Sequence, residues 1–335
     1  MSHRILIVGG AGYIGSHMTL CLQAHGLEVT VLDNLSTGSR ELVHTPDLVI
    51  GDMADDNLVS GVIRSRGIAA VMHFASCINV GESVRDPGKY YENNVGKTIS
   101  LLNTIVRCGI RRMIFSSTSA VYGTPERLPI NEQAPLAPLN PYGESKAWVE
   151  RVLAAFDHAH GLRSYSLRYF NAAGADPQGR AGECHDPETH LIPIALQVAL
   201  GQREQLDILG DDYRTEDGTG VRDYVHVTDL CEAHYLALLD LFNGGAGGIL
   251  NVGIGRGFTV RQVVAAVEKV TGRPVPTRIQ PRRPGDTDAL VADSRNIQDR
   301  LGWRPRYTDL ETIVRHAWAW EKNGRRTAPA ERGDT

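Results

Sequence analysis

The sequence predicts an α/β protein. It reads as a doubly wound parallel sheet with helices on both faces, followed by a smaller C-terminal α/β domain. Three observations carry this. Short, wholly apolar runs recur through the first 170 residues, and helix-period stretches separate the later ones. A glycine-rich turn follows the first run directly and opens the first helix. After residue 175 the rhythm breaks into shorter elements joined by Gly-, Pro- and Arg-rich loops.

Taken in order, RILIVGG (4–10) is a compact buried strand. Residues 12–25 carry Ile14, Met18, Cys21 and Leu22 at helical spacing, with Gly26 suited to the C-terminal cap. EVTVLD (28–33), LVIGD (48–52), AAVMHFA (69–75), RRMIFSST (111–118) and RSYSLRYF (163–170) repeat the strand pattern. Long helices are expected near 87–107 and 142–158. Right-handed crossovers between parallel strands then leave the doubly wound topology. Residues 174–189 read as a loop. A helix near 191–200, strands 206–210 and 222–227, a helix over 228–242, strand 249–253 and helix 259–271 follow. PTRIQPRRPGD (276–286) is expected to be loop, and 309–322 the last helix. The polar tail after Gly324 has no period and is expected to be disordered.

Composition narrows the function classes. The chain has 335 residues, 42% hydrophobic and 22% charged, with net charge −4 and no basic block. That argues against non-specific nucleic-acid binding. The apolar run Ile5–Val8 is too short for a signal peptide or a membrane span, so a cytoplasmic location is expected. Five scattered cysteines, odd in number and without a CxxC, read as thiols of a reducing compartment. His185 and His190, or His158 and His160, form no recognised ligand pattern, and no metal is expected.

VGGAGYIGS (8–16) holds Gly10-x-Gly12-x-x-Gly15 and Gly9-x-x-Gly12-x-x-Gly15 between strand and helix. Glycines there let the backbone turn tightly and approach a pyrophosphate lying on the positive end of the helix. Asp33 closes the second strand 18 residues after Gly15, placed to accept from adenosine ribose hydroxyls and to repel a 2′-phosphate. No arginine follows it at once, so NAD is favoured over NADP. In NPYGESK (140–146), Tyr142 and Lys146 lie at i, i+4 on one helix face. A tyrosine titrates near pH ~10. An ammonium about 5 Å away, at an effective dielectric of about 20, favours the phenolate by roughly 3 kcal/mol, which desolvation opposes. Beside a dinucleotide the pair makes sense as a base and its activator, removing a hydroxyl proton while hydride leaves the same carbon.

GGAGYIGS, Asp33-Asn34, SSTSAVYG (116–123) and Tyr142-x-x-x-Lys146 resemble the extended short-chain dehydrogenase/reductases, whose sheet is of Rossmann type. HFA with VGESV (73–84), YYENNV (90–95), LRYFNAAGA (167–175), TEDGTGVRDYVHV (215–227) and PRRPGD (281–286) narrow the resemblance to the UDP-glucose (UDP-galactose) 4-epimerases over about residues 4–322. The resemblance implies an NAD-binding domain, residues 1–175 plus about 222–255. It also implies a UDP-sugar-binding domain, residues 176–221 plus about 256–324. Tyr142 would take the proton of the sugar 4-hydroxyl, Thr118 would hydrogen-bond the 4-oxygen, and Lys146 would also bind the nicotinamide ribose. Gly9, Gly12, Tyr13, Ile14, Gly15, Asp33, Asn34, Thr37 and Gly38 match NAD-contacting positions. So do Asp52, Met53, Phe74, Ala75, Asn93, Ser116, Tyr169 and Phe170. Asn171, His190, Leu191, Leu209, Arg222, Arg283, Asp286 and Leu290 match positions on the UDP-sugar. A homodimer through the helices near 94–107 and 142–158 is implied as well.

Departures from the family pattern matter. Nucleotide-sugar 4,6-dehydratases carry Asp-Glu directly after the Thr, whereas Ser119 and Ala120 stand here, which disfavours dehydration. UDP-glucuronate decarboxylases usually keep Glu at the place of Ala120. Ile78 stands where many 4-epimerases place a lysine that reaches NAD, and His190 replaces an asparagine. Leu290 replaces a bulky tyrosine, leaving room for an N-acetyl group and predicting activity on UDP-GlcNAc/UDP-GalNAc. A UDP-xylose/UDP-arabinose 4-epimerase using the same chemistry remains the alternative. A non-catalytic NAD-sensing protein of the same fold is disfavoured, because both Tyr142 and Lys146 are kept.

Overall fold

The computed structural model describes residues 3–283 and 285–323. The strands are β1 (Arg4–Val8), β2 (Glu28–Asp33), β3 (Leu48–Ile50), β4 (Ile68–His73), β5 (Arg112–Thr118), β6 (Arg163–Tyr169), β7 (Asn171–Ala173), β8 (Leu206–Leu209), β9 (Val221–His226), β10 (Gly248–Val252), β11 (Gly257–Thr259), β12 (Thr277–Gln280) and β13 (Ala289–Leu290). The helices are α1 (Tyr13–Ala24), α2 (Asp56–Arg66), α3 (Val80–Arg85), α4 (Pro87–Tyr90), α5 (Lys97–Arg107), α6 (Pro141–His160), α7 (Leu191–Ala199), α8 (Val227–Phe242), α9 (Val260–Thr271), α10 (Arg295–Leu301) and α11 (Leu310–Lys322).

The large sheet runs β10-β6-β5-β4-β1-β2-β3, with every neighbouring pair parallel. It is a Rossmann-type doubly wound sheet, and the strand order reverses between β1 and β4. Its strands are apolar on both faces because both faces are covered. On one side Ile5, Ile7, Val31 and Met72 pack with α1 and α8. On the other, Leu6, Val8, Val71 and Phe115 pack with α2, α5 and α6. A smaller C-terminal cluster joins α7, α9 and α11 through Leu196, Val263, Val267, Ile313 and Val314.

Several elements differ from the sequence reading. The expected loop 276–286 contains β12, which pairs in parallel with β8. TRIQ alternates weakly, and only its partner strand identifies it. The strand expected at 222–227 lies outside the large sheet: β9 pairs with β7, β11 and β13. Helix α2 was not expected, although Asp55 caps its N-terminus and Gly67 ends it in the left-handed conformation. The helix expected over 87–107 is α4 and α5 joined by a π turn at Tyr91–Gly96. The tail expected to be disordered lies outside the described residues.

Candidate active site

The site is built on the carboxyl edge of the large sheet, at its switch point. Gly9 has φ +85°, and a Cβ there would meet Ala75 N at 2.5 Å. A Cβ on Gly15 would meet Gly9 O at 2.2 Å, so helix α1 packs closely on the turn. Gly12 is different. A Cβ on it meets only Gly9 O, at an ordinary 3.6 Å, so the protein itself does not demand glycine there. Gly12 is the N-cap of α1, and no side chain caps that helix end. The cradle left over the helix N-terminus is open and positive in sign, as a pyrophosphate requires.

Asp33 ends β2 beside this cradle. Its carboxylate accepts from Ala11 N at 2.9 Å and from Leu35 N at 2.8 Å. Asn34 and Thr37 are exposed on the following loop, and Gly38 lies against Ala11, where a Cβ would come within 2.8 Å of the Ala11 Cβ. Tyr13 spends its hydroxyl on the Gly174 carbonyl at 2.7 Å, tethering α1 to the segment after β7, and Ile14 packs against the core. Asp52 pairs with Lys97 at 2.6 Å, while Met53 is buried in the core beneath. Phe74 N and Ala75 N both donate to the Val8 carbonyl, which binds the end of β4 to the glycine turn. Asn93 donates to Asn94 Oδ1 at 3.1 Å. Asn94 is the residue that locks the π turn: it bonds both backbone groups of Cys77 and the Ser145 hydroxyl. Ile78 is 41% exposed.

Helix α6 carries Tyr142 and Lys146. Asn140 accepts from Gly143 N at 2.9 Å, Pro141 sits in the first turn, and Gly161 closes the helix with φ +65°. Thr118 ends β5, and its hydroxyl accepts from Ala120 N at 3.1 Å. Lys146 is buried. Its Nζ donates to Ser76 Oγ at 2.7 Å and to the Ser116 carbonyl at 2.8 Å, and lies 5.9 Å from the centre of the Tyr142 ring. Tyr169 donates to Ser116 Oγ, and Phe170 is buried alongside Val121, Tyr122 and Ala147.

The electrostatics correct one expectation. Burial pushes the Tyr142 phenol up from its ordinary value, although the Thr118 hydroxyl works in the opposite direction. Burial also pulls the Lys146 ammonium down to about 7. The lysine was expected to lower the tyrosine, but burial is the leading cause for both groups and disfavours the charge of each.

Among the residues matched to the UDP-sugar, Arg222 and Arg283 converge on one carboxylate. Asp286 Oδ1 lies 3.3 Å from Arg222 and 3.0 Å from Arg283. Arg222 also donates to the Val221 and Thr287 carbonyls. Asn171 opens β7, Leu209 closes β8 half-exposed, and Leu191 begins α7. Leu290 packs against the cluster of Tyr122, Phe170 and Ala147, the last of which follows Lys146 in the chain. His190 is the N-cap of α7, with its ring nitrogen directed at Glu183 and Glu188. Burial disfavours its charged form, but the two carboxylates outweigh that and hold its pKa up, to about 10.

The sequence reading missed a buried network that aligns these elements. Arg168 on β6 makes a two-pronged pair with Glu150 on α6, and Ser117 also donates to Glu150. Arg168 donates to Tyr122 Oη at 2.9 Å, and Tyr122 donates to Asn251 at 2.6 Å. Glu150 lies four residues after Lys146 on the same helix. That spacing was a usable signal, but nothing in it named Arg168 as the partner.

The model of the NAD dependent epimerase/dehydratase family matches residues 5–253.

The chain belongs to that family.

It is 51% identical over 318 residues to the UDP-glucose 4-epimerase of Halalkalibacterium halodurans, covering 95% of each chain. It superimposes on the crystal structure of UDP-glucose 4-epimerase from Brucella ovis in complex with NAD with a TM-score of 0.92, at 47% identity. That match covers 95% of this chain and 98% of the other. The UDP-Glc/GlcNAc 4-epimerase of Campylobacter jejuni matches with a TM-score of 0.84 at 39% identity, covering 96% and 100%.

Proposed function

We infer that this chain is an NAD-dependent 4-epimerase, an isomerase that interconverts UDP-glucose and UDP-galactose through a transient 4-keto sugar. The observation that carries the reading is Tyr142, Lys146 and Thr118 gathered beside the Gly12 cradle, with no carboxylate after Thr118. The relatives named UDP-glucose 4-epimerase agree with it.

The residues fit NAD. Gly12 leaves the space a pyrophosphate needs, Asp33 faces the ribose side, and Lys146 is within reach of the nicotinamide end. NAD held there would supply the hydride acceptor and donor for C4 of the sugar and a positive charge near Tyr142. Tyr142 takes the 4-hydroxyl proton at its phenolate oxygen. Thr118 hydrogen-bonds the same oxygen and keeps it in line with the base. Lys146 stabilises the phenolate. Arg222 and Arg283 release Asp286 in part to grip the diphosphate bidentately. The UDP is held firmly by charge, while the hexose meets few charged groups and turns over between the two hydride transfers.

Residues 1–175 with about 222–255 hold the cofactor in this reading, and residues 176–221 with about 256–324 hold the UDP-sugar. The packing of α8 against α1 and the large sheet supports the first grouping. The chain works as a cytoplasmic homodimer through α5 and α6, a reading supported by Trp148, 46% exposed on α6. Among the described residues no helix is long and apolar enough to cross a membrane.

A second reading rests on Leu290. Its short side chain packs toward Phe170 and Ala147, where a tyrosine would fill more of the sugar space. Activity on UDP-GlcNAc/UDP-GalNAc follows. The test is incubation with UDP-galactose, UDP-GalNAc and UDP-xylose in turn, without added NAD. Conversion of UDP-galactose to UDP-glucose is expected, because NAD stays bound between turnovers. No conversion of UDP-galactose even with NAD added would overturn the main reading, and preferential conversion of UDP-xylose would favour a pentose epimerase.

A further inference from the structure

Between β7 and α7 the chain places Glu183, His185, Glu188 and His190 within eight residues. One donor atom from each lies within 4.8 Å of all the others. Both carboxylates are almost wholly buried, and the two imidazoles close the group from outside. His190 Nδ1 lies 2.6 Å from Glu183 Oε1 and 2.8 Å from Glu188 Oε1. His185 Nδ1 lies 3.1 Å from the same Glu183 oxygen.

One nitrogen serves two carboxylates here. An imidazole nitrogen carries at most one hydrogen, so a single proton on His190 Nδ1 faces oxygens of two carboxylates. Two buried carboxylates meet at that nitrogen, with the second imidazole beside them. A divalent cation at the centre would attract both carboxylates at once and take a lone pair from each ring. With two neutral imidazoles it brings the group to zero net charge, and it needs no shared proton. Bonds of about 2.0–2.2 Å from nitrogen and oxygen to such an ion put tetrahedral ligands roughly 3.4 Å apart. The separations of 2.6 to 4.8 Å bracket that value.

We propose that Glu183, His185, Glu188 and His190 form a binding site for one divalent transition-metal ion, with Zn2+ the best match. Two imidazoles and two carboxylates suit Zn2+ and its neighbours rather than Mg2+ or Ca2+, which prefer oxygen alone. Four protein ligands fill a tetrahedron and leave no position for water, so the role is structural. The surroundings agree. Glu188 Oε1 accepts from Thr189 N and His190 N at 2.8 and 2.9 Å, holding the carboxylate as metal-bound carboxylates are held. Trp320 of α11 donates to the Glu183 carbonyl at 3.0 Å, and the His185 ring stands edge-on to Tyr13 at 6.5 Å. The ion would pin the loop to α11 and to the glycine-turn helix α1, and fix His190 and Leu191 at the entrance of α7.

Metal content decides the proposal. The full chain, expressed without a histidine tag and purified without chelator, is expected to carry about one equivalent of zinc by elemental analysis. After EDTA dialysis and desalting, ZnCl2 is expected to bind at one site by calorimetry and to raise Tm. CoCl2 is expected to give the intense visible absorption of tetrahedral Co2+. The variant Glu183→Gln/His185→Ala is expected to lose all three responses. His185→Ala alone, a milder change, is expected to weaken zinc binding at least tenfold. Absence of metal as purified together with no calorimetric or Tm response of the wild-type chain to Zn2+, Co2+, Ni2+ or Mn2+ would overturn the proposal. Undiminished zinc binding by the double variant would overturn it as well.

Discussion

Tyr142 and Lys146 are both buried, and burial makes the charge of each harder to form. Replacing Tyr142 by Phe removes only the hydroxyl, and kcat on UDP-galactose is expected to fall about 10²–10⁴-fold with NAD content unchanged. A steady-state assay beside the absorbance spectrum of the purified variant checks both. Lys146 carries a pH signature. Its folded pKa of about 7 lies below its ordinary 10.5, so between those values the unfolded chain holds the extra proton and stability rises with pH. In Lys146→Met that contribution is gone. The stability of wild type minus variant is therefore expected to increase from about pH 7 to about pH 10, measured by urea unfolding at a series of pH values. A flat or falling difference would contradict the buried-cation account. For Leu290→Tyr, the expected outcome is a selective loss on UDP-GalNAc with UDP-galactose largely retained. Equal loss on both would show that Leu290 only packs.

At the scale of the element, the glycine turn separates two demands that the sequence pattern merges. Gly15→Ala drives a Cβ into the Gly9 carbonyl and is expected to destabilise the fold by about 1–3 kcal/mol through overpacking. Gly12→Ala meets only an ordinary contact and keeps φ −86°, which any residue adopts. It is expected to leave the Tm nearly unchanged while cutting NAD retention, and thermal melts paired with cofactor content on the purified variants distinguish the two. Helix α6 gives a second case. Glu150→Ala strands the Arg168 guanidinium in the core and is expected to cost about 3–5 kcal/mol. Substituting Arg168 by Met as well is expected to restore part of that loss. The strand and helix periods showed most of these elements in the sequence, because a buried strand is apolar throughout and a surface helix repeats every 3.6 residues. The strands it hid were β7, β11, β12 and β13, each two to four residues long. They exist because a partner strand supplies their hydrogen bonds, and a partner leaves no mark on local periodicity.

For the whole molecule, the half-exposed Trp148 stands on the outer face of α6, with the Arg151 guanidinium over its ring. If α5 and α6 form the dimer face, Trp148→Glu is expected to sediment as a monomer where the parent chain sediments as a dimer, with the monomer still binding NAD. The network Glu150–Arg168–Tyr122–Asn251 spans α6, β6 and β10. It ties the base-bearing helix to the far edge of the sheet.

The sequence by itself determined the doubly wound sheet, the glycine turn, the Tyr–Lys pair and the absence of acidic residues after Thr118. Each of these is a local pattern, set by residue type and spacing. Tertiary structure alone decided which charges meet. Folding brought Arg168 to Glu150, set Asp286 between Arg222 and Arg283, and buried Lys146 deeply enough to weaken its own charge. It also turned Glu183, His185, Glu188 and His190 toward one point. Burial and long-range pairing depend on how remote segments pack, and a pKa depends on both, so no spacing along the chain encodes them.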